Sequence, residues 1–372
     1  MNTPELRAET SARLRAAAAS VAELTAFVGL DGFVDEILHV VDKRASATSF
    51  QRFLTIASFA ERIAAAAGKS ANIELVRQRT KLGGNGPIMA NALATFGFKV
   101  TYLGALGYPR LHPVFDEFAR RAEVHSINEP GVTDALEFED GKLMLGKYAQ
   151  FAEITWASLQ QRFGRDRFAA HFGGAQLVGF VNWTMLPTMS DLWESLLQEL
   201  CPALTGPRRK IFFDLADPAK RTRADIVRAT ELIARFSPYF DVILGLNERE
   251  AGALGEALGL AVPAPTPAGI TALAVEIQRR LTIDTVVVHP TFYAVAAGRG
   301  QADLVEGPRI SKIVITTGAG DHFNSGFCLA KLLGLGNAHA LLTAGATSGF
   351  YVSTGRSPTV ADLAGMIENW PV

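Results

Sequence analysis

A doubly wound α/β chain, with helices on both faces of a mainly parallel sheet, is the fold class this sequence predicts. Three observations carry it. The runs Leu177-Val178-Gly179-Phe180-Val181, Ile211-Phe212-Phe213-Asp214, Val242-Ile243-Leu244-Gly245-Leu246 and Thr285-Val286-Val287-Val288 are apolar almost throughout, as suits strands buried on both faces. Stretches with helical spacing separate them, the alternation of a sheet with crossover helices. Polar and glycine-rich residues gather where the runs end, and open α/β sheets bind ligands outside the carboxyl ends of their strands.

In chain order, residues 5–24 are rich in Ala, Glu and Arg and predict an amphipathic helix. Phe27-Val28-Gly29-Leu30 reads as a strand whose far end carries Asp31 and Asp35. A helical stretch follows over 50–68, then Leu82-Gly83-Gly84-Asn85-Gly86-Pro87, a helix over 88–97 and a strand at Val100-Thr101-Tyr102-Leu103-Gly104. Ala135–Glu139 and Lys142–Leu145 flank Asp140-Gly141, a hairpin signature that predicts a cover on the main sheet. Near the C-terminus, apolar Ile313-Val314-Ile315 precedes a glycine-rich box. Beyond the box, Phe323, Phe327, Ala330 and Leu333 mark a helix that Gly334 stops. The expectation is one domain over 1–372, with lid segments at about 36–48 and 125–150 inserted in it.

Bulk properties narrow the function. Hydrophobic residues make up 48% of the 372, ample for a large core. The formal net charge of −1 shows no basic excess for nucleic acid or a membrane surface. Cys201 and Cys328 make neither a metal spacing nor a disulfide framework, which fits a reducing cytoplasm. The N-terminus lacks the layout of a signal peptide. A soluble, cytoplasmic protein without nucleic-acid or membrane partners is therefore expected. The P-loop, dinucleotide, nucleophile-elbow and zincin signatures are all missing.

Four constellations carry chemistry. Thr316-Thr317-Gly318-Ala319-Gly320-Asp321 opens a helix. Small residues there let backbone N–H groups approach an anion that the helix dipole also favours, and Asp321 is placed to take a proton from an attacking hydroxyl. The bland alternative is a tight turn followed by an N-terminal helix acid. Leu82-Gly83-Gly84-Asn85-Gly86-Pro87 reads equally as a strand-to-helix turn. Asp31 and Asp35 stand four apart, where two carboxylates can accept hydrogen bonds from vicinal hydroxyls. Leu246-Asn247-Glu248-Arg249-Glu250 is nearly a capping box.

The Gly318–Asp321 box and the Gly83-Gly84-Asn85 run resemble, in type and order, the two signatures of the ribokinase-like, phosphofructokinase-B type carbohydrate kinases. The resemblance extends from about Val28 to Arg356 and departs from the family pattern at Ile315, where an Asp is usual. It implies a doubly wound α/β/α ribokinase-like core with a small β-sheet lid. The implied activity moves the terminal phosphoryl of a nucleotide, Mg-ATP first, to a sugar hydroxyl. Asp321 is then the base and Gly318, Ala319 and Gly320 the anion hole. Asp31, Asp35, Gly83, Gly84 and Asn85 hold the acceptor, and Thr317, Gly318, Gly320 and Asn247 the nucleotide. Asn247 and Glu250 hold Mg²⁺, directly or through water. Left open are ADP as donor, since His289 resembles the ADP-dependent branch, a nucleoside acceptor and a monovalent cation near Ser353–Ser357. A homodimer through the lid and a non-catalytic sugar- or nucleotide-sensing protein also stay open.

Overall fold

The structure, a computed structural model, describes residues 2–371. Its strands are β1 (Thr25–Leu30), β2 (Phe33–Arg44), β3 (Phe50–Arg52), β4 (Leu75–Gly83), β5 (Lys99–Gly104), β6 (Glu123–Ser126), β7 (Gly131–Glu137), β8 (Lys142–Lys147), β9 (Leu177–Phe180), β10 (Arg209–Asp214), β11 (Phe240–Leu246), β12 (Thr285–Val288), β13 (Tyr293–Gly298) and β14 (Gln301–Glu306). Nine form one sheet in the order β14-β13-β12-β11-β10-β9-β1-β5-β6. Pairing is parallel from β12 to β6 and antiparallel only where β13 joins β12 and β14.

Alternate residues of each strand feed two separate cores. Phe27, Val178, Phe180, Ile211, Phe213, Val242, Leu244, Val286 and Val288 face one layer of helices. Val28, Leu177, Phe212, Ile243 and Val287 face the other. The central strands are apolar because both their faces are covered, so the architecture is three-layered α/β/α. The chain runs from β1 outward to β5 and β6, then returns to β9 and proceeds the other way through β10, β11 and β12. The β1/β9 boundary is therefore the switch point, where a crevice opens beyond the strand ends.

The second sheet runs β3-β2-β7-β8, with β4 also paired to β2. The first half of β2 lies between β4, antiparallel, and β7, parallel. The hairpin expected around Asp140-Gly141 is β7–β8, closed by the Phe138 N–H to Gly141 O bond of 2.9 Å.

Some boundaries differ from the sequence reading. The helix expected over 5–24 is Pro4–Ala17 followed by a 3₁₀ turn at Ser20–Glu23. The stretch read as helical over 50–68 splits into β3 and a helix at Ile56–Ala64, started by the Thr55 cap. The second sheet uses more chain than 36–48 and 125–150. It takes in all of β4, whose side chains are largely exposed and so give no apolar signal. Asp35 does not share the loop after β1 with Asp31; it lies within β2. The apolar Ile313-Val314-Ile315 before the glycine-rich box lies in an irregular segment, with Ile313 and Val314 exposed.

Candidate active site

The crevice at the switch point is built around Asp31, which follows β1 and is fully buried. Its Oδ1 accepts the Gly86 N–H at 2.9 Å and the Tyr102 hydroxyl at 3.3 Å, and its Oδ2 accepts Asn182 Nδ2 at 2.7 Å. Tyr102 also bonds the Asp31 carbonyl at 2.6 Å. Burial pushes this carboxyl up to about 6 despite those donors. The close approach requires glycine. A Cβ on Gly86 would lie 2.5 Å from Asp31 Oδ1, and one on Gly84 2.8 Å from Oδ2, where φ of +95° also disfavours any other residue.

Gly84 caps the helix Asn85–Phe96, so Asn85 opens it. Asn85 Nδ2 donates to Asp321 Oδ1 at 2.9 Å. Asp321 lies in the first turn of the helix Ala319–Leu332, which Gly318 caps in the left-handed region at φ +96°. Two signatures separated by most of the chain thus meet through one hydrogen bond. The Ala319 N–H is spent on Thr316 O at 3.1 Å. The Gly318, Gly320 and Asp321 amides have no backbone acceptor among the described residues, as expected of a helix start able to hold an anion.

Asp321 is 6% exposed. Burial first, then the nearby Asp214 carboxylate, with smaller contributions from Asp31 and Glu250, push its carboxyl well above the ordinary range; the Asn85 bond works against them. Asp214 ends β10. Its Oδ1 accepts the Ala216 N–H at 2.8 Å and its Oδ2 accepts Asn324 Nδ2 at 2.7 Å. Burial and Glu250 push it up as well. Four buried acids therefore converge where strands β1, β10 and β11 end.

Asn247 and Glu250 form a full capping box at the start of the helix Glu248–Ala257. Glu250 Oε2 accepts the Asn247 N–H at 2.8 Å, its Oε1 accepts the Asp217 N–H at 2.9 Å, and Asn247 Oδ1 accepts the Glu250 N–H at 3.0 Å. The capping role and proximity to Asp321 coexist in one pair. With these atoms already engaged, the pair fits Mg²⁺ held through water, the usual habit of an ion that keeps several waters.

Asp35 stands apart from these acids on β2, 3% exposed, opposite Lys81 of β4 and Thr133 of β7. Lys81 Nζ is 3.9 Å from its Oδ2. Burial raises its pKa, while Lys81 and a hydrogen bond from Thr133 lower it. A Cβ on Gly83 would sit 2.4 Å from this carboxyl. His289 packs its ring 4.8 Å from Phe323, and a Cβ on Gly320 would lie 3.4 Å from its Cε1.

The sequence reading missed Tyr102, Asn182, Asp214, Asn324 and His322. Asn182 and Asp214 had a usable signal, since each ends or directly follows an apolar run, the position where open α/β sheets place ligands. Tyr102 and Asn324 had none, because their partners are distant in sequence.

The raised acids carry a stability prediction. A carboxyl whose pKa is higher folded than unfolded contributes stability at low pH and loses it as pH rises through the folded value. Asp214→Asn removes one such group. The buried Asn324 Oδ1 has no partner, so the Asn324 amide can turn over and accept from the introduced amide. The melting temperature of the variant is expected to exceed that of the unsubstituted protein at about pH 8, the gap closing toward about pH 5. Melting curves across that range check it.

Known proteins share this fold. The structure resembles a carbohydrate kinase from Agrobacterium tumefaciens with a TM-score of 0.63 at 19% identity, covering 94% of this chain and 97% of that one. It resembles Arabidopsis thaliana ribokinase complexed with ribose and ATP with a TM-score of 0.62 at 17% identity, covering 92% and 98%. In sequence, the chain is 32% identical over 337 residues to a ketohexokinase of Haloferax volcanii, covering 90% of this chain and 88% of that protein. The family model for prokaryotic ketohexokinase matches residues 5–370. With nearly its whole length matched and its fold ribokinase-like, the chain belongs to the prokaryotic ketohexokinase family, sugar kinases of the ribokinase type.

Proposed function

We propose that this sugar kinase transfers the terminal phosphoryl of Mg-ATP to a hydroxyl of a ketohexose, with Asp321 as the base. One observation carries the base assignment. Asp321 is a buried carboxylate within the first turn of a helix whose start leaves the Gly318, Gly320 and Asp321 amides without a backbone acceptor among the described residues, with one oxygen held by Asn85 and the other left for a hydroxyl. The ketohexose comes from the name of the relative and of the family model.

The residues divide the work as follows. Asp321 Oδ2 takes the acceptor proton as the hydroxyl oxygen attacks the terminal phosphorus of ATP, whose bond to the bridging oxygen breaks so that ADP leaves. The Gly318 and Gly320 amides, at the positive end of the helix, stabilise the charge on the transferred group; such positioning and electrostatic help is most of what phosphoryl transfer requires. Asp35, with Asn85 and the backbone at Gly83-Gly84, orients the acceptor. Thr317 and Asn247 contact the nucleotide. Asn247 and Glu250 would hold Mg²⁺ through water, and the ion would there supply positive charge to the donor phosphates. The five-stranded sheet is the lid and keeps water from the transferred group.

The test is nucleotide consumption by purified protein with Mg²⁺, ATP and ADP tried separately, against ketohexoses, aldohexoses and nucleosides. ATP consumption that depends on a ketohexose supports the reading. Consumption only with ADP, or only with a nucleoside, replaces the donor or the acceptor. Binding of nucleotide without turnover on any acceptor replaces the enzyme with a sensing protein.

A further inference from the structure

The residue after the proposed base is His322, and it is 2% exposed. Its Nδ1 lies 2.8 Å from Gly318 O and its Nε2 lies 2.9 Å from Ser357 Oγ. A carbonyl oxygen only accepts, so Nδ1 carries the proton; a neutral ring then leaves Nε2 to accept from the Ser357 hydroxyl. Burial lowers the ring's pKa to about 4, consistent with that neutral tautomer. The ring stacks on Tyr351, with centroids 3.6 Å apart and planes inclined by 13°. The Tyr351 hydroxyl in turn donates to Thr317 O at 3.0 Å.

The carbonyls of two successive peptide units, Thr317–Gly318 and Gly318–Ala319, are thus bound by one stacked pair of rings. In a trans peptide the N–H points opposite to the C=O. Drawing the Thr317 carbonyl to Tyr351 therefore turns the Gly318 N–H away from the helix Asn337–Thr354, which carries Tyr351. Gly318 has the left-handed backbone that glycine tolerates but does not enforce. Something outside the turn has to hold it. Val314 N–H to Val352 O at 2.8 Å ties the segment before the box to the same helix.

We infer that His322 is a positioning residue for phosphoryl transfer: with Tyr351 and Ser357 it holds the Thr317-Gly318 turn so that its amides meet the terminal phosphoryl of the donor. The inference rests on the kinase reading of the site. His322 touches neither substrate nor the transferred group; it acts through the Gly318 carbonyl.

The test compares His322→Phe, which keeps the stack and removes both hydrogen bonds, with His322→Asn, whose amide can reach Gly318 O much as Nδ1 does. His322→Phe is expected to lower kcat about 10- to 100-fold, as a small misplacement of a catalytic group does. The acceptor KM should stay within about twofold, and His322→Asn should recover most of the loss. Ser357→Ala, which removes the outer bond alone, is expected to fall between the unsubstituted protein and His322→Phe. A kcat unchanged in His322→Phe, with only a lower melting temperature, overturns the inference; so does equal loss in His322→Phe and His322→Asn when both remain folded. If the unsubstituted protein turns over no acceptor, the kinase reading fails by itself. Mg-ATP affinity by calorimetry, with Mg-ADP as the reference that lacks the terminal phosphoryl, then decides the inference. Weaker ATP binding in His322→Phe with ADP binding unchanged, and recovery in His322→Asn, supports the holding role; an ATP affinity unchanged in His322→Phe overturns it.

Discussion

Asp321→Asn is expected to abolish nearly all turnover and at the same time make the protein more stable. An amide at this position keeps the shape and keeps an oxygen for Asn85 Nδ2, which donates to Oδ1 at 2.9 Å. Nucleotide and acceptor affinities should therefore stay within a few-fold. What disappears is the proton acceptor, and general-base catalysis contributes about 10²- to 10⁴-fold. The stability gain follows from the environment. Asp321 is buried with Asp214, Asp31 and Glu250 nearby, and each of these acids pushes its carboxyl further above the ordinary value. Removing one charge from such a group relieves repulsion that the active arrangement maintains.

The sign with pH follows. The base works only when ionised. Because its pKa lies above the ordinary 3.8, kcat/KM of the unsubstituted protein should fall as pH drops through that raised value, and the residual activity of Asp321→Asn should lack this acid limb. A pH profile of both proteins with melting curves at one alkaline pH checks the three expectations together. Near-normal turnover in a folded variant would remove Asp321 from the role of base.

How much of this was legible in the sequence depends on the kind of burial. Strands β9, β10, β11 and β12 declared themselves because both faces are covered, so their buried central positions form apolar runs. Strand β4 did not, since Leu75–Gly83 keeps most of its side chains exposed and carries Arg77, Arg79 and Lys81. Ile313-Val314 shows the opposite case: an apolar pair that lies exposed in an irregular segment. The two glycine boxes were readable because backbone geometry restricts the residue type: Gly84 and Gly318 have positive φ, and Gly86 leaves no room for a Cβ beside Asp31. The residues that complete the site were not readable, because their meaning lies in partners far along the chain. Asn182 reaches back 151 positions to Asp31, and Asn324 reaches back 110 to Asp214. His322, although adjacent to Asp321, gains its role from Tyr351 and Ser357.

The two acids that the sequence paired as acceptor ligands should separate on substitution. Asp31 already accepts Gly86 N–H, Tyr102 Oη–H and Asn182 Nδ2–H, all from buried groups. Asp31→Ala leaves the Gly86 N–H and Asn182 Nδ2 without this partner, at about 1–3 kcal/mol for each one orphaned, while Tyr102 keeps the backbone carbonyl of residue 31, and the expected result is a large fall in melting temperature or failure to fold. Asp35 holds far fewer protein bonds: Lys81 stands at 3.9 Å and Thr133 supplies one hydrogen bond. Its remaining lone pairs are free for hydroxyls. Hydrogen bonds to a charged group contribute about 1.5–3 kcal/mol each. Asp35→Ala is therefore expected to weaken acceptor binding on the order of 100-fold, leaving nucleotide affinity and the melting temperature nearly unchanged. Gly83→Ala offers an independent route to the same effect, because its Cβ would meet the Asp35 carboxyl at 2.4 Å and displace it. Calorimetric titration of acceptor and nucleotide into each variant, with melting curves alongside, separates the roles. If Asp35→Ala and Gly83→Ala bind the acceptor normally, the acceptor is held elsewhere in the crevice and Asp35 belongs to the β2–β4–β7 sheet alone.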